Sequence, residues 1–205
     1  MNGRNAKKAL GRAPRWQVGR VHAVAHAALV TLFCLLLAIP GVDAQPRPTD
    51  YQVKAAYLYN FGRFVEWPPA ALAAKDSFTV CVMGQDPFGA TLDTTLAGET
   101  IGGKSVVARR ISDVRESAGC QILFLSSSES DRLKDVLSSL DKTGVLTVSD
   151  IPQFSQHGGM IEFVLQSNRV RFEVNLAAAR SAGLTLSSEL LKVATVVRRD
   201  SGAGN

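Results

Sequence analysis

The sequence is poor in the residues and motifs that usually carry catalysis. It contains three histidines in 205 residues, and only His157 lies beyond the first 44. A single histidine cannot build the usual zinc site without carboxylate help, and no pattern gives His157 an evident partner as a general base. Neither a G-x-S-x-G nor an H-E-x-x-H motif occurs. We therefore interpret His157 as a loop residue beside Gly158 and Gly159, and the sequence favours a binding protein over an enzyme.

The sequence also lacks a complete phosphate-binding loop. The segment GQDPFG, residues 84–89, has suitable glycines but neither the lysine nor the hydroxyl residue that should follow them. The segment GETIGGKS, residues 98–105, precedes a predicted strand and not the helix N-terminus that binds phosphate. Both segments are predicted to be turns, and no cofactor or metal is predicted.

Acidic residues are absent from the first 42 positions, which instead contain six lysines and arginines. An apolar run follows, from Ala23 to Ile39, and small residues lie around Ala44. This order is typical of a secretory signal peptide, so residues 1–44 are predicted to be one, with cleavage after Ala44. The alternative is an uncleaved N-terminal anchor. Both interpretations place the rest of the chain outside the cytoplasm, because the basic flank stays inside.

The charge balance beyond residue 44 argues against a nucleic-acid partner. The whole chain has 23 Lys and Arg against 18 Asp and Glu, a net charge of +5. The predicted signal peptide contains six of those basic residues and one of the acidic residues, which leaves 17 of each. Electrostatic capture of nucleic acid therefore loses its support.

Cysteine is scarce as well, with three residues in the chain. Cys34 belongs to the predicted signal peptide, which leaves Cys81 and Cys120. An even pair in an oxidising compartment suggests a disulfide. Such a bond would close a loop of about 40 residues and contribute roughly 4 kcal/mol in the chain-entropy model. The alternative is two buried free thiols.

The remaining pattern predicts a single α/β domain over residues 45–197, followed by a disordered tail at 198–205. A capping box, Thr49 to Gln52, begins a helix that ends near Val65. Further on, strands alternate with helices, and a hairpin is predicted about Ser167-Asn168. The predicted strands are 78–84, 104–111, 120–126 and 144–150, and the predicted helices are a segment capped by Asp86, 128–140, 176–183 and 187–197. This order indicates a layered α/β/α sandwich with a mixed central sheet.

Two groups of side chains are candidates for partner binding. In the first helix, Leu58, Phe61 and Val65 are predicted to face the core, and the contact candidates are Tyr57, Phe64 and Trp67. The second group is Arg169 and Arg171, which form a cationic patch with Arg109 and Arg110 if their strands are neighbours. The alternative is a solvated face on which Glu162 and Glu173 balance the arginines.

The segment VKAAYLYNFGRFVEWP, residues 53–68, resembles the N-terminal signature of the YfiR-like family of periplasmic proteins. The resemblance continues in order through FTVCVMGQDPFGATL, CQILFLSSSE, VLTVSD, GGMIEFV and RVRFEVNLAAARSAGLTLSSELLKVA. It covers about residues 50–196, and its most specific parts are the stretch from GGMI to RFEVN and the helix LSSELLKVA.

The resemblance implies a periplasmic, non-enzymatic repressor of an inner-membrane diguanylate cyclase. Such proteins bind the periplasmic sensor domain of the cyclase, form dimers and respond to the periplasmic redox state. Cys81 and Cys120 match a disulfide pair seen in the family. A second pair that members carry near GGMI is missing here, since Ser155, His157 and Glu162 occupy that neighbourhood.

Three other functions remain open at this point. The chain is alternatively a small-molecule binding protein, an adaptor for a sensor histidine kinase, or a hydrolase with an unrecognised site.

Overall fold

A mixed eight-stranded sheet with helices packed on both faces organises the described part of the chain. The structure is a computed structural model, and it describes residues 49–72 and 75–198. The predicted signal peptide, with Cys34, lies outside the described residues, as does the segment beyond Arg198. Among the described residues, no helix combines the length and the apolar character needed to cross a membrane.

The helices are α1 (Asp50–Phe64), α2 (Pro69–Leu72), α3 (Ala90–Leu96), α4 (Leu133–Ser139), α5 (Leu176–Ser181) and α6 (Ser188–Val193), with 3-10 helices at Val114–Gly119 and Ser127–Arg132. The strands are β1 (Val65–Glu66), β2 (Ser77–Met83), β3 (Thr100–Ile101), β4 (Lys104–Ile111), β5 (Ile122–Leu125), β6 (Leu146–Ser149), β7 (Ile161–Gln166), β8 (Arg169–Asn175), β9 (Thr185–Leu186) and β10 (Val196–Arg198).

The order of strands in the large sheet is β10-β8-β7-β6-β5-β2-β4-β3. Strands β4, β2, β5, β6 and β7 run parallel, whereas β3 is antiparallel to β4, and β8 is antiparallel to β7. Strand β10 runs parallel to β8. The predicted α/β fold with a mixed central sheet is therefore confirmed. Strands β1 and β9 form a separate antiparallel pair.

Alternate side chains of the central strands enter two different cores, because successive residues of a strand point to opposite faces. Val80 and Val82 pack in the core that includes α1 and α3. Cys81 and Met83 pack in a second core with α4. Helices therefore cover both faces of the sheet, which is consistent with the predicted layering and explains why these strands are apolar throughout.

Helix α1 begins as predicted, with Thr49 as its N-cap and Gln52 completing the capping box. It ends where Val65 takes an extended conformation, as expected ahead of Pro68 and Pro69. Leu58 and Phe61 are 0% exposed and Val65 is 5% exposed, so the prediction that these three face the core is confirmed.

Two tight hairpins follow the turn chemistry of the sequence. Ser167 and Asn168 connect β7 to β8, with φ values of 50° and 57°. Gly102 and Gly103 connect β3 to β4, with φ values of 57° and 77°. Two consecutive positive φ values are the mark of a type I′ turn, whose twist matches that of the flanking strands.

Three predicted helix boundaries are wrong. Helix α3 begins at Ala90, because Asp86 caps only a local turn, in which its Oδ1 accepts from Phe88 N at 2.8 Å. The predicted helix at 128–140 is a 3-10 helix followed by the shorter α4. Helix α6 ends at Val193, and β10 follows it, since the β-branched residues after Ala194 pair with β8.

Candidate functional site

An open apolar groove lies between α1, α6 and β8, and its volume is about 290 Å³. We call it the α1–α6 groove. Its lining residues are Tyr57, Asn60, Phe61 and Phe64 on α1, Phe172 on β8, and Glu189, Leu190 and Val193 on α6. It therefore contains two of the three aromatic residues of the first helix that the sequence marks as contact candidates.

The floor of the groove is a packed aromatic cluster. Phe61 and Phe172 are 0% and 1% exposed, and their ring centroids lie 5.2 Å apart in an edge-to-face arrangement. Tyr57 packs on both rings, and its ring centroid lies 5.9 Å from that of Phe61 and 5.4 Å from that of Phe172. Such pairs hold the rings in place beyond the effect of buried area alone, so the floor is preformed.

The rim of the groove exposes large apolar side chains. Phe64 is 37% exposed at the end of α1, and Val193 is 60% exposed at the end of α6. The segments at the end of α1 and the start of α6 are hydrogen-bonded to each other. Ser187 N donates to Phe64 O at 2.9 Å, and Val65 pairs with Leu186. The sequence analysis does not identify Val193 as a contact candidate. The signal for it is the pair of apolar residues three positions apart in α6, Leu190 and Val193.

Trp67, the third aromatic candidate, lies apart from the groove. It is 9% exposed, its indole Nε1 donates to Gln121 O at 3.2 Å, and its ring meets Phe78 edge-on at 5.1 Å. This ring belongs to the core and leaves little surface for a partner.

The four arginines do not form one patch. Arg109 and Arg110 are on β4 and Arg169 and Arg171 are on β8, with β7, β6, β5 and β2 between the two strands. The condition for a joint cationic surface is therefore not met. Two carboxylates neutralise the charge of Arg110. Its Nε lies 2.9 Å from Asp86 Oδ2, and its Nη2 lies 2.7 Å from Asp93 Oδ2.

Arg169 and Arg171 alternate with Phe172 along β8. Side chains that alternate on a strand point to opposite faces, so these two arginines do not line the α1–α6 groove. Among the described residues, Glu173 pairs with Arg198, whose Nη2 lies 3.1 Å from Glu173 Oε2, and neither Glu162 nor Glu173 forms a salt bridge with any of the four arginines.

Cys81 and Cys120 form the predicted disulfide, with Cα atoms 5.8 Å apart. Both cysteines are buried in the core on the α4 side of the sheet, whereas the groove residues pack on the α1 side. Arg109 Nη2 lies 3.6 Å from Cys120 Sγ. The short separation of the two Cα atoms favours the disulfide over the alternative of two free thiols.

The neighbourhood of GGMI is held together by a buried carboxylate. Glu162 is 6% exposed and accepts hydrogen bonds from Gln153 N at 2.8 Å, Ser155 N at 2.9 Å and Ser155 Oγ at 2.9 Å. These contacts attach the loop before β7 to the sheet. His157 lies in the same loop, as predicted, and its side chain is exposed.

The order β4-β2-β5-β6-β7 places a topological switch point between β2 and β5, where open α/β sheets commonly bind ligands at the carboxyl ends of the strands. Here the chain fills that position itself. A Cβ atom on Gly84, the residue that follows β2, would lie 2.4 Å from Ser128 Oγ. Ser128 Oγ also accepts from Gln85 N at 2.9 Å, and Glu129 beside it is 6% exposed.

The start of α1 places a buried ion pair near the end of β6. Lys54 Nζ lies 2.6 Å from Asp150 Oδ2, and Tyr51 donates its hydroxyl to the same oxygen at 2.9 Å. Burial, together with the hydrogen bond to Asp150, raises the pKa of Tyr51 to about 12. The neutral phenol is therefore the stable form of Tyr51 at physiological pH.

Comparison with solved structures finds distant similarities. An ABC domain in complex with L-Trp from Streptococcus pneumonia has 12% identity and a TM-score of 0.46, with 72% of this chain and 60% of that chain covered. A conserved domain protein from Vibrio cholerae O1 biovar eltor has 9% identity and a TM-score of 0.48, with the same coverage. The present chain thus spans 60% of the length of each of these structures.

Comparison with curated proteins finds no significant match. Comparison with protein families matches residues 51–195 to the YfiR/HmsC-like family. That span includes both walls of the α1–α6 groove and both cysteines of the disulfide. The chain belongs to the YfiR/HmsC-like family, and this membership suggests a periplasmic regulator of cyclic di-GMP signalling.

Proposed function

We propose that this protein is a non-enzymatic periplasmic regulator that binds the periplasmic sensor domain of an inner-membrane diguanylate cyclase and thereby represses cyclic di-GMP synthesis. Family membership supports the compartment and the signalling system. The observation that carries the binding role is the α1–α6 groove, with Phe64 and Val193 exposed at its rim.

The groove has the composition of a protein-binding surface. Its floor is apolar and rigid, so an apolar side chain of a partner can be buried there without ordering the floor first. Tyr57 and Phe64 offer large contact area with few rotatable bonds, as residues that dominate interfaces usually do. Asn60 and Glu189 supply polar groups at the edge that can orient a partner.

The test combines gene deletion with surface variants. Deletion is expected to raise cellular cyclic di-GMP, and the wild-type gene is expected to restore the low level. Phe64→Asp and Val193→Asp should fail to restore it, because each places a charge in an apolar contact. Val107→Asp is the matched control, since Val107 is 40% exposed on β4, away from the groove.

Circular dichroism and thermal melting of the purified variants check that each remains folded. Normal repression by folded Phe64→Asp and Val193→Asp proteins would remove the groove from the proposal. Unchanged cyclic di-GMP after deletion, with altered phosphorylation of a membrane histidine kinase, would assign the protein to that other class of partner.

A further inference from the structure

A second cavity, of about 480 Å³, opens between the end of α1 and the β3–β4 hairpin. We call it the hairpin cavity. Its lining residues are Gly62, Arg63, Val65, Glu66, Trp67, Leu72, Phe78, Thr100, Ile101, Gly102 and Lys104. It shares no residue with the α1–α6 groove, and its volume lies within the range of small-molecule sites.

The inner wall of the hairpin cavity is apolar and held in place. Val65, Trp67 and Phe78 are 5%, 9% and 1% exposed. The Trp67 indole is fixed by its hydrogen bond to Gln121 O at 3.2 Å and by its edge-on contact with Phe78. An apolar ligand body would therefore meet a surface that needs no reorganisation.

The outer wall is the β3–β4 hairpin, whose position is fixed by close packing on α1. A Cβ atom on Gly62 would lie 2.4 Å from Ile101 Cδ1. Gly62 therefore lets Ile101 approach the helix, and the type I′ turn at Gly102-Gly103 keeps the pairing of Ile101 with Lys104.

Charged groups lie among the lining residues, two basic and one acidic. Arg63 and Glu66 are exposed, and neither belongs to an ion pair among the described residues. Lys104 donates a hydrogen bond to Lys75 O, but an ammonium has three donors. The cavity thus has an apolar inner wall, and its charged lining residues, Arg63, Lys104 and Glu66, give it a net positive charge.

We infer that the hairpin cavity binds a small amphipathic monoanion, with a carboxylate near Arg63 and Lys104 and an apolar chain against Leu72, Ile101 and the exposed edge of Trp67. Two cationic donors match a single carboxylate, which accepts charge-assisted hydrogen bonds. Glu66 disfavours a second negative charge on the ligand. Each methylene group that enters the cavity should raise affinity by about fourfold. This site shares no lining residue with the α1–α6 groove, and the Arg63 guanidinium lies 6.0 Å from the Phe64 ring centroid at the rim of that groove.

The test is a fluorescence titration with decanoate below its micelle concentration. The full-length chain carries Trp16→Phe, so that Trp67 is the only tryptophan. Saturable quenching or enhancement of Trp67 fluorescence is expected, with octanoate binding more weakly than decanoate. Decanol, decyltrimethylammonium and the dianion sebacate should each bind at least about tenfold more weakly, because each lacks the matching single charge.

Variants separate this site from other apolar surfaces. The double variant Arg63→Gln, Lys104→Gln should weaken decanoate binding about tenfold or more, whereas Lys134→Gln, on the exposed side of α4, should not. Leu72→Trp should block binding by filling the cavity, with the fold checked by circular dichroism. Val193→Asp should leave binding unchanged.

Three results would overturn the inference. The first is the absence of saturable decanoate binding. The second is equal binding of decanoate, decanol and decyltrimethylammonium, which would show that the charges play no part. The third is loss of binding in Val193→Asp with full binding in Leu72→Trp, which would place decanoate in the α1–α6 groove.

Discussion

The buried ion pair between Lys54 and Asp150 shows how single residues connect the first helix to the sheet. Their side chains are 9% and 14% exposed, and their charged atoms lie 2.6 Å apart. Lys54 also lies 4.2 Å from the centroid of the Tyr51 ring. A charge removed from water to this extent depends on its partner, so the pair anchors α1 to the end of β6.

Asp150→Ala is expected to lower the free energy of unfolding by about 3 kcal/mol, because it leaves the Lys54 ammonium buried without a counter-charge. Urea denaturation of the purified protein measures the change. The matched control is Asp93→Ala, which removes a partner of Arg110 that is 54% exposed and should cost less than about 1 kcal/mol. Equal losses in both variants would contradict this role for burial.

The stability of the protein should also depend on the ionisation of Tyr51 at high pH. The pKa of Tyr51 is raised to about 12 in the folded chain, mainly by burial and then by the hydrogen bond to Asp150, against about 10 in an unfolded chain. Its contribution is therefore fully present below about pH 10 and is lost as the pH rises through about 12.

Tyr51→Phe should consequently show a shallower loss of stability between about pH 10 and pH 12 than the wild type. Chemical denaturation at several pH values measures both slopes, and Tyr57→Phe is the control because Tyr57 lies outside the Asp150 contact. Identical slopes for wild type and Tyr51→Phe would show that Tyr51 ionises alike in the folded and unfolded states.

At the scale of elements, the loop before β7 depends on one close contact. Gly159 packs against Phe154, which is 0% exposed, and a Cβ atom at position 159 would lie 2.1 Å from the Phe154 ring. Its neighbour Gly158 has a φ of 99°. The two glycines of the GGMI motif therefore have different roles, one in close packing and one in the backbone turn.

Gly159→Ala is expected to cost about 1–3 kcal/mol, because the Phe154 ring must move within a packed core. Thermal and urea unfolding measure the loss. In Gly119→Ala the new methyl group would meet only the end of the Arg109 side chain, at 3.1 Å, so a loss below about 1 kcal/mol is expected there. A Gly159→Ala protein as stable as the wild type would mean that the ring has room to shift.

Sequence signals such as caps and turn residues predict which helices and strands form. They predict less well where each element ends and which strands pair with each other. The capping box at Thr49 and the turn at Ser167-Asn168 depend on residues close in sequence, and both predictions are confirmed. The predicted start of α3 and the predicted end of α6 are wrong. Gly89 is the N-cap of α3, and the last residues of the predicted α6 form β10, which pairs with β8. Such pairing is a long-range effect that propensity does not contain.

The candidate site could be predicted only in part, for the same reason. Tyr57 and Phe64 were marked from their spacing on one helix, and both line the groove. Trp67 is buried because its indole N–H finds Gln121 O, an acceptor 54 positions away in sequence. The order of strands separates Arg109 from Arg169, and nothing in either segment alone specifies that order.

For the whole molecule, the sheet separates the disulfide from the proposed partner surface. Cys81 and Cys120 lie in the core on the α4 side, whereas Phe61 and Phe172 of the groove lie in the core on the α1 side. The bond links residues 39 apart in sequence, and it stabilises chiefly by restricting the unfolded chain. It should therefore contribute to stability and not to the shape of the groove.

Replacing both cysteines by alanine is expected to lower the free energy of unfolding by about 4 kcal/mol on the chain-entropy model, as measured by urea denaturation. At a growth temperature where immunoblots show normal protein levels, the double variant should still restore low cyclic di-GMP to a deletion strain. Val193→Asp, which leaves the disulfide intact, should show the opposite pattern of normal stability and lost repression. If the cysteine variant stays folded and yet releases cyclic di-GMP synthesis, the disulfide controls the regulator's activity across the sheet and its role is not structural alone.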